Sequence, residues 1–196
     1  MKKKILISTG GSGGHVVPAI IFYEHLKKDF EVTITSDKRG IKFLDESKYN
    51  VKIINTPKLT NNLFILPFKI LIIVFLTIKS LFFLRSKQIK IVITTGGYMS
   101  LPLCIASKIL NIKLFLFEPN MVLGRANRIF VKFCKKIFCY SNEVQKFPNS
   151  FKNKISIIKT LLRKEFYFTK PSLDFKDRIN LLIIGGSQGA TLFDTA

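Results

Sequence analysis

The run Gly10-Gly11-Ser12-Gly13-Gly14-His15 sets four glycines around a serine and ends on an imidazole. Glycine backbone turns tightly and can touch a phosphate or a sugar, and an exposed helix N-terminus favours an anion at the same place. An imidazole there can act as a base near neutral pH, or simply cap and pack. His25, the other histidine, falls within the helical pattern that follows, on its expected surface. A nicotinamide-type dinucleotide loop is a second reading of the run. It fits poorly: a G-x-G-x-x-G match from Gly11 needs glycine where Val16 stands, and only Asp37, near the end of the second strand, favours it.

Three further segments carry chemistry. Thr95-Gly96-Gly97-Tyr98 and Glu118-Pro119-Asn120 each follow an apolar run, and Gly185-Gly186-Ser187-Gln188-Gly189-Ala190 repeats the strand, Gly-rich turn and helix start of the first motif. The Gly97 turn also reads as a plain strand-to-helix connection. Cys104, Cys134 and Cys139 are too few and too unevenly spaced for a disulfide framework or a zinc site, and read as reduced core residues.

These motifs need a frame, and the hydrophobic periodicity supplies one. Short β-branched runs at 4–8, 32–35, 51–54, 91–94, 113–117, 136–139 and 155–158 alternate with helical patterns at 17–28, 41–47, 67–87, 101–110 and 124–133. Such alternation predicts an α/β fold with a doubly wound parallel sheet, whose ligands bind beyond the carboxyl ends of the strands. The Gly10–His15 and Thr95–Tyr98 turns fall on that edge, and Gly185–Ala190 takes the same place after the first strand of a second domain. Residues 1–160 read as one domain and 161–177 as a linker, while 178–196 open a second domain with a strand at 179–184 and then break off, so the chain reads as a fragment.

The chain has 32 basic against 12 acidic residues, a net charge of +20, which calls for a polyanionic partner or an anionic surface. Part of that excess is the Lys, Ile, Phe and Asn bias of an A+T-rich coding sequence. No signal peptide is readable at the N-terminus. Residues 63–84 form 22 nearly unbroken apolar positions, long enough to span a bilayer, but Lys69 and Lys79 interrupt them and strands flank them. On a helical projection Lys69, Thr77, Lys79 and Ser80 share one arc, and apolar residues exceed what a sheet can cover. The expected role is an interfacial membrane helix presenting Phe68, Ile72, Phe75, Phe82 and Phe83 beside Lys69, Lys79, Arg85 and Lys87. A wholly buried core helix is the alternative.

With Val16-Val17-Pro18-Ala19 after the first loop and Met99-Ser100-Leu101-Pro102 after the second, the four motifs in this order resemble those of the MurG family of peptidoglycan N-acetylglucosaminyltransferases. The resemblance runs through the whole chain and covers about the first half of a family member. It implies a GT-B enzyme of two Rossmann-like domains that moves GlcNAc from UDP-GlcNAc, with inversion, to the MurNAc C4 hydroxyl of undecaprenyl-linked lipid I, giving lipid II. His15 becomes the catalytic base, with Glu118 the rival carboxylate on the same edge. Gly13, Gly14, Gly97, Tyr98, Glu118 and Asn120 become acceptor contacts; Ser12, Gly13, Gly14, His15, Asn120, Arg163, Ser187, Gln188 and Gly189 become donor contacts. Helix N-terminal amides would stabilise the leaving UDP, so no metal or cofactor is expected. The resemblance further implies a peripheral place on the cytoplasmic face of the inner membrane, anionic lipids and other cell-wall synthesis and division proteins as partners, and no nucleic acid.

The sequence departs from the family twice. Phe117 and Pro119 replace the His and Gln of His-Glu-Gln-Asn, and Thr160-Leu161-Leu162-Arg163 keeps only the Arg of an Asn-Pro-Val-Arg segment. Two other functions stay open. The acceptor-side membrane subunit of a two-subunit transferase would end early by nature, and a nonenzymatic basic membrane or nucleic-acid module would account for the charge but leave the glycine loops unexplained.

Overall fold

The computed structural model describes residues 2–57, 62–163 and 166. Seven parallel strands form one sheet in the order β3-β2-β1-β4-β5-β6-β7. The strands are β1 (Lys4–Ser8), β2 (Glu31–Ser36), β3 (Val51–Ile53), β4 (Ile91–Thr94), β5 (Lys113–Glu118), β6 (Lys136–Cys139) and β7 (Ile155–Ile157). The helices are α1 (Gly13–Leu26), α2 (Leu66–Ser86), α3 (Leu101–Ile109) and α4 (Arg125–Phe130). Parallel strands buried on both faces are apolar at successive positions, and β1 illustrates it. Ile5 and Ile7 pack with Val16 and Ala19 of α1, while Leu6 between them packs in the cluster built by α2, α3 and α4 with Val92, Leu114, Leu116 and Ile137.

The strand order reverses between β1 and β4, because β1 leads outward to β2 and the chain returns to β4 on its other side. A crevice opens at such a switch point. The loops that border it are the glycine run after β1 and the Gly97 turn after β4.

All seven strands expected in residues 1–160 are present, and two helices are shorter than their patterns. The helix expected at 41–47 is a single 3-10 turn, Gly40–Phe43. Asp45 ends it by accepting the backbone and side-chain hydrogen bonds of Ser47, the local competition with helix that Asp and Ser favour. The helix expected at 124–133 is α4 alone, with Gly124 as its N-cap; beyond it the Phe130 carbonyl accepts from both Phe133 and Cys134. Cys104, Cys134 and Cys139 are buried and unpaired, and burial pushes their thiols up to about 12, 11 and 12.

The α2 helix corrects its projection. Thr77 and Ser80 do not share an outer polar face with Lys69 and Lys79: they are buried, with Ile73, Phe83 and Leu84, against α3. Their hydroxyls donate to the carbonyls of Ile73 and Leu76, both at 2.8 Å, so they need no water and let the helix pack closely. Phe83 also turns inward, whereas Phe68, Ile72, Phe75 and Phe82 point to solvent.

Candidate functional site

The glycine run is held by a buried carboxylate. Asp37 Oδ1 accepts from the amides of Gly11 and Gly40, both at 2.8 Å, and Oδ2 accepts from Arg39 Nε at 2.9 Å and Nη2 at 2.8 Å. Gly10 passes so close that a Cβ there would lie 2.7 Å from Asp37 Oδ1 and 2.9 Å from Met99 Cγ. With both oxygens engaged, Asp37 braces the loop and offers nothing to a ribose, which removes the one feature that favoured a dinucleotide site.

Burial pushes the Asp37 carboxyl up, but the Gly11 and Gly40 amides and the Arg39 guanidinium together outweigh it and hold the group below its ordinary value. Its folded-state pKa is therefore below the unfolded one of about 3.9, so its contribution is present above that value and lost as pH falls through the folded pKa. Urea unfolding is expected to show a stability drop below about pH 4 that Asp37→Asn flattens, with about 1–3 kcal/mol lost near neutral pH. An unchanged acid limb in the variant would place the effect elsewhere.

His15 lies in the first turn of α1, where Ser12 O receives the amides of His15 and Val16. Its Nδ1 sits 2.7 Å from the carbonyl oxygen of Thr95. A carbonyl only accepts, so Nδ1 carries a proton, and in the neutral ring Nε2 presents the lone pair. Thr95 is itself fixed, since its amide donates to Ser8 O at 3.1 Å and its hydroxyl to Thr9 Oγ1 at 2.8 Å. The histidine is thus clamped across the switch point by the turn that follows β4.

Beside it lies a cavity of about 230 Å³ lined by His15, Gly97, Tyr98, Glu118, Asn120 and Arg125, with Gly96, Gly124, Ala126 and Asn127. Glu118 is the hub of its far wall. Oε1 accepts from the amide and side chain of Asn120 at 3.3 and 2.9 Å, and Oε2 from Gly124 N at 2.7 Å and Asn127 Nδ2 at 3.0 Å. Four donors occupy a carboxylate that is only 2% exposed, which makes it a brace for the turn.

Two residues of this wall escaped the sequence reading. Asn127 also donates to Phe117 O at 3.0 Å and packs under Gly96, and Arg125 brings a cation with no acidic partner among the described residues. Their signal was the helix start six to nine positions beyond Glu118, on the same sheet edge. Phe117, which stands where the family has His, is fully buried on the other face of the sheet, its ring 5.3 Å from Phe22 and 5.6 Å from Tyr140. That position packs core and does not reach the cavity.

The expected acceptor residues Gly97, Tyr98, Glu118 and Asn120 thus converge with His15. Ser12, Gly13 and Gly14 form the start of α1 beside the cavity without lining it; an α-helix leaves its first amides without partners of its own. Arg163 is exposed and falls in a second unit, Arg163–Ala196, separate from Met1–Leu162. Ser187, Gln188, Gly189 and the strand expected at 179–184 lie outside the described residues. His25 is exposed on α1, its Nδ1 turned to Ile21 O.

Known proteins are similar to this chain. The UDP-N-acetylglucosamine--N-acetylmuramyl-(pentapeptide) pyrophosphoryl-undecaprenol N-acetylglucosamine transferase of Pelagibacter ubique is 59% identical over 99% of this chain and 54% of its own length. The Rickettsia felis protein of the same name is 32% identical over 97% of the chain and 55% of its own. The chain therefore spans about half the length of the curated relatives it matches. Among solved structures, MurG of Acinetobacter baumannii superposes with a TM-score of 0.73 at 23% identity, over 98% of this chain and 55% of that one, a likeness of fold. The family model for the glycosyltransferase family 28 N-terminal domain matches residues 5–139, the stretch that holds β1 to β6 and every cavity residue, and the chain belongs to that family.

Proposed function

We propose that the chain is the acceptor-side part of an inverting hexosyltransferase that moves GlcNAc from UDP-GlcNAc to the MurNAc C4 hydroxyl of lipid I, giving lipid II. The observation that carries this reading is the Thr95 clamp on His15, which leaves Nε2 as a proton acceptor at a polar cavity on the switch point. In the reaction the acceptor oxygen bonds to the sugar C1, its proton passes to His15 Nε2, and the C1–O bond to UDP breaks with its electron pair on the diphosphate. The first amides of α1, at Gly13 and Gly14, and the Arg125 guanidinium are suited to the acceptor's pyrophosphate. Glu118 holds Asn120 and the 120–124 turn in place for the sugars.

Residues 1–160 form the acceptor domain, 161–177 the linker and 178–196 the start of the donor domain, to which Ser187, Gln188, Gly189 and Arg163 bring contacts for UDP-GlcNAc. A lipid-linked acceptor places the protein on the cytoplasmic face of the inner membrane, with the exposed apolar face of α2 and its neighbouring cations toward the bilayer. Each cation close to an anionic surface adds about 1 kcal/mol, a term that salt weakens.

The test is radiolabelled transfer from UDP-GlcNAc to lipid I by the protein carrying a complete donor domain, beside calorimetry of the present chain. Lipid II is the expected product, and the present chain is expected to bind UDP-GlcNAc weakly. Failure to form lipid II would overturn the activity. Tight binding by the present chain would overturn the placement of the nucleotide site in the second domain.

A further inference from the structure

A second cavity opens at the other end of the sheet. It lies at the amino ends of β1, β4 and β5, on the edge opposite the one that carries His15, and its volume is about 700 Å³. Lys3, Arg85, Lys90 and Lys113 stand around it, and no acidic residue lines it. All four are exposed, and none makes an ion pair among the described residues. Cations gathered on the walls of a concave site focus a positive field inside it.

Helix capping does not account for these cations. Both α2 and α3 end at the cavity, and cations collect at helix carboxyl ends because free carbonyls point there. Here the backbone has already taken those carbonyls. Leu84 O accepts from Ile89 N at 3.0 Å and Arg85 O from Gln88 N at 3.0 Å, while Ser107 O accepts from Ile112 N at 2.8 Å and Lys108 O from Asn111 N at 3.2 Å. Lys90 and Lys113 belong to neither helix, since one precedes β4 and the other opens β5.

The two helix ends add neutral donors. Gln88 and Asn111 stand in the left-handed region, with φ of 55° and 53°, where glycine closes a helix at least cost. Both positions keep a carboxamide instead, and both line the cavity. A carboxamide donates to phosphate oxygens without changing the charge. Ile91, Leu110 and Ile112, all half-buried, give the cavity an apolar part. Its size falls in the range of about 300–1,000 Å³ usual for small-molecule sites.

We propose that this cavity binds a soluble oligophosphate at a site separate from the transfer site, with the four cations and two carboxamides on the phosphates. The ligand is a chain of phosphates, either free or carried by a nucleoside whose base rests on the apolar part.

Isothermal titration of the present chain at physiological salt, with ATP and with tripolyphosphate, tests the site. Saturable binding is expected, and Lys90→Glu together with Lys113→Glu should raise the dissociation constant at least about tenfold, because both lost contacts are charge-assisted. Lys132→Glu with Lys152→Glu makes the same change in net charge at exposed positions outside the cavity, and should raise it less than about twofold. Gln88→Gly relieves the left-handed backbone and keeps the fold, yet should weaken binding about threefold. Tighter binding of ATP than of tripolyphosphate would assign the apolar part to the base, and equal binding would assign the site to the phosphate chain alone. Equal losses from the two charge-reversal pairs would reduce the effect to the net charge of +20 and overturn the site. Loss of binding through Arg125→Ala would move the ligand to the cavity beside His15 and overturn it as well. So would failure of both probes to bind, including the case in which the Lys90 and Lys113 reversals release the chain only from phosphatidylglycerol vesicles, which would make the anion a lipid headgroup.

Discussion

In the protein with its donor domain complete, His15→Ala is expected to lower kcat about a hundredfold to ten-thousandfold while KM for UDP-GlcNAc changes little. The expectation follows from one hydrogen bond. Thr95 O can only accept, so it fixes the Nδ1–H tautomer of His15 and leaves Nε2 able to take the acceptor proton. A base acts in the transition state and contributes little to ground-state binding of the donor, which confines the loss to turnover. His25→Ala is the control, because that imidazole is exposed on α1 and folds back on the Ile21 carbonyl. His15→Gln keeps a donor for Thr95 O but has no basic nitrogen, so it is expected to fold normally and remain as slow as the alanine variant. If either variant retained near-full kcat, the base would have to be sought elsewhere.

The frame of this site was legible in the sequence because strands buried on both faces are written as short β-branched runs, and the runs at 4–8, 91–94 and 113–117 became β1, β4 and β5. The glycine turns after them then had to share one edge. What the pattern could not carry was the direction of single side chains. Phe117 and Glu118 are neighbours in β5, yet one packs against Phe22 on the α1 side and the other closes the cavity wall, a consequence of strand alternation that a motif comparison does not register. Thr77 and Ser80 were misplaced for a related reason. Hydroxyls count as polar in a projection, but each can satisfy itself on a carbonyl of its own helix and be buried. Asp37 was legible as an acid near a phosphate-type loop, and only its four donors revealed that it serves the loop itself.

Glu118→Gln is expected to destabilise the present chain by about 2–3 kcal/mol, from a pair of part-buried donors left facing a donor. The carboxylate accepts from Asn120 N and Nδ2 on one oxygen and from Gly124 N and Asn127 Nδ2 on the other. A glutamine keeps one of those oxygens and replaces the other with an NH2 group, so one pair of donors must meet hydrogens whichever way the amide is turned. Asn127→Ala leaves the carboxylate three donors, none of them facing a donor, and also frees the Phe117 carbonyl, at an expected cost of about 1–2 kcal/mol. Urea unfolding of this chain, followed by circular dichroism, measures both. In the protein with a complete donor domain the Gln variant should also lose turnover through the displaced Asn120, and KM for the acceptor should rise along with the fall in kcat, unlike the His15 pattern. A Gln variant as stable as the parent but devoid of turnover would contradict the bracing role. The carboxylate would then be the group that takes the proton, and His15 the residue that positions it.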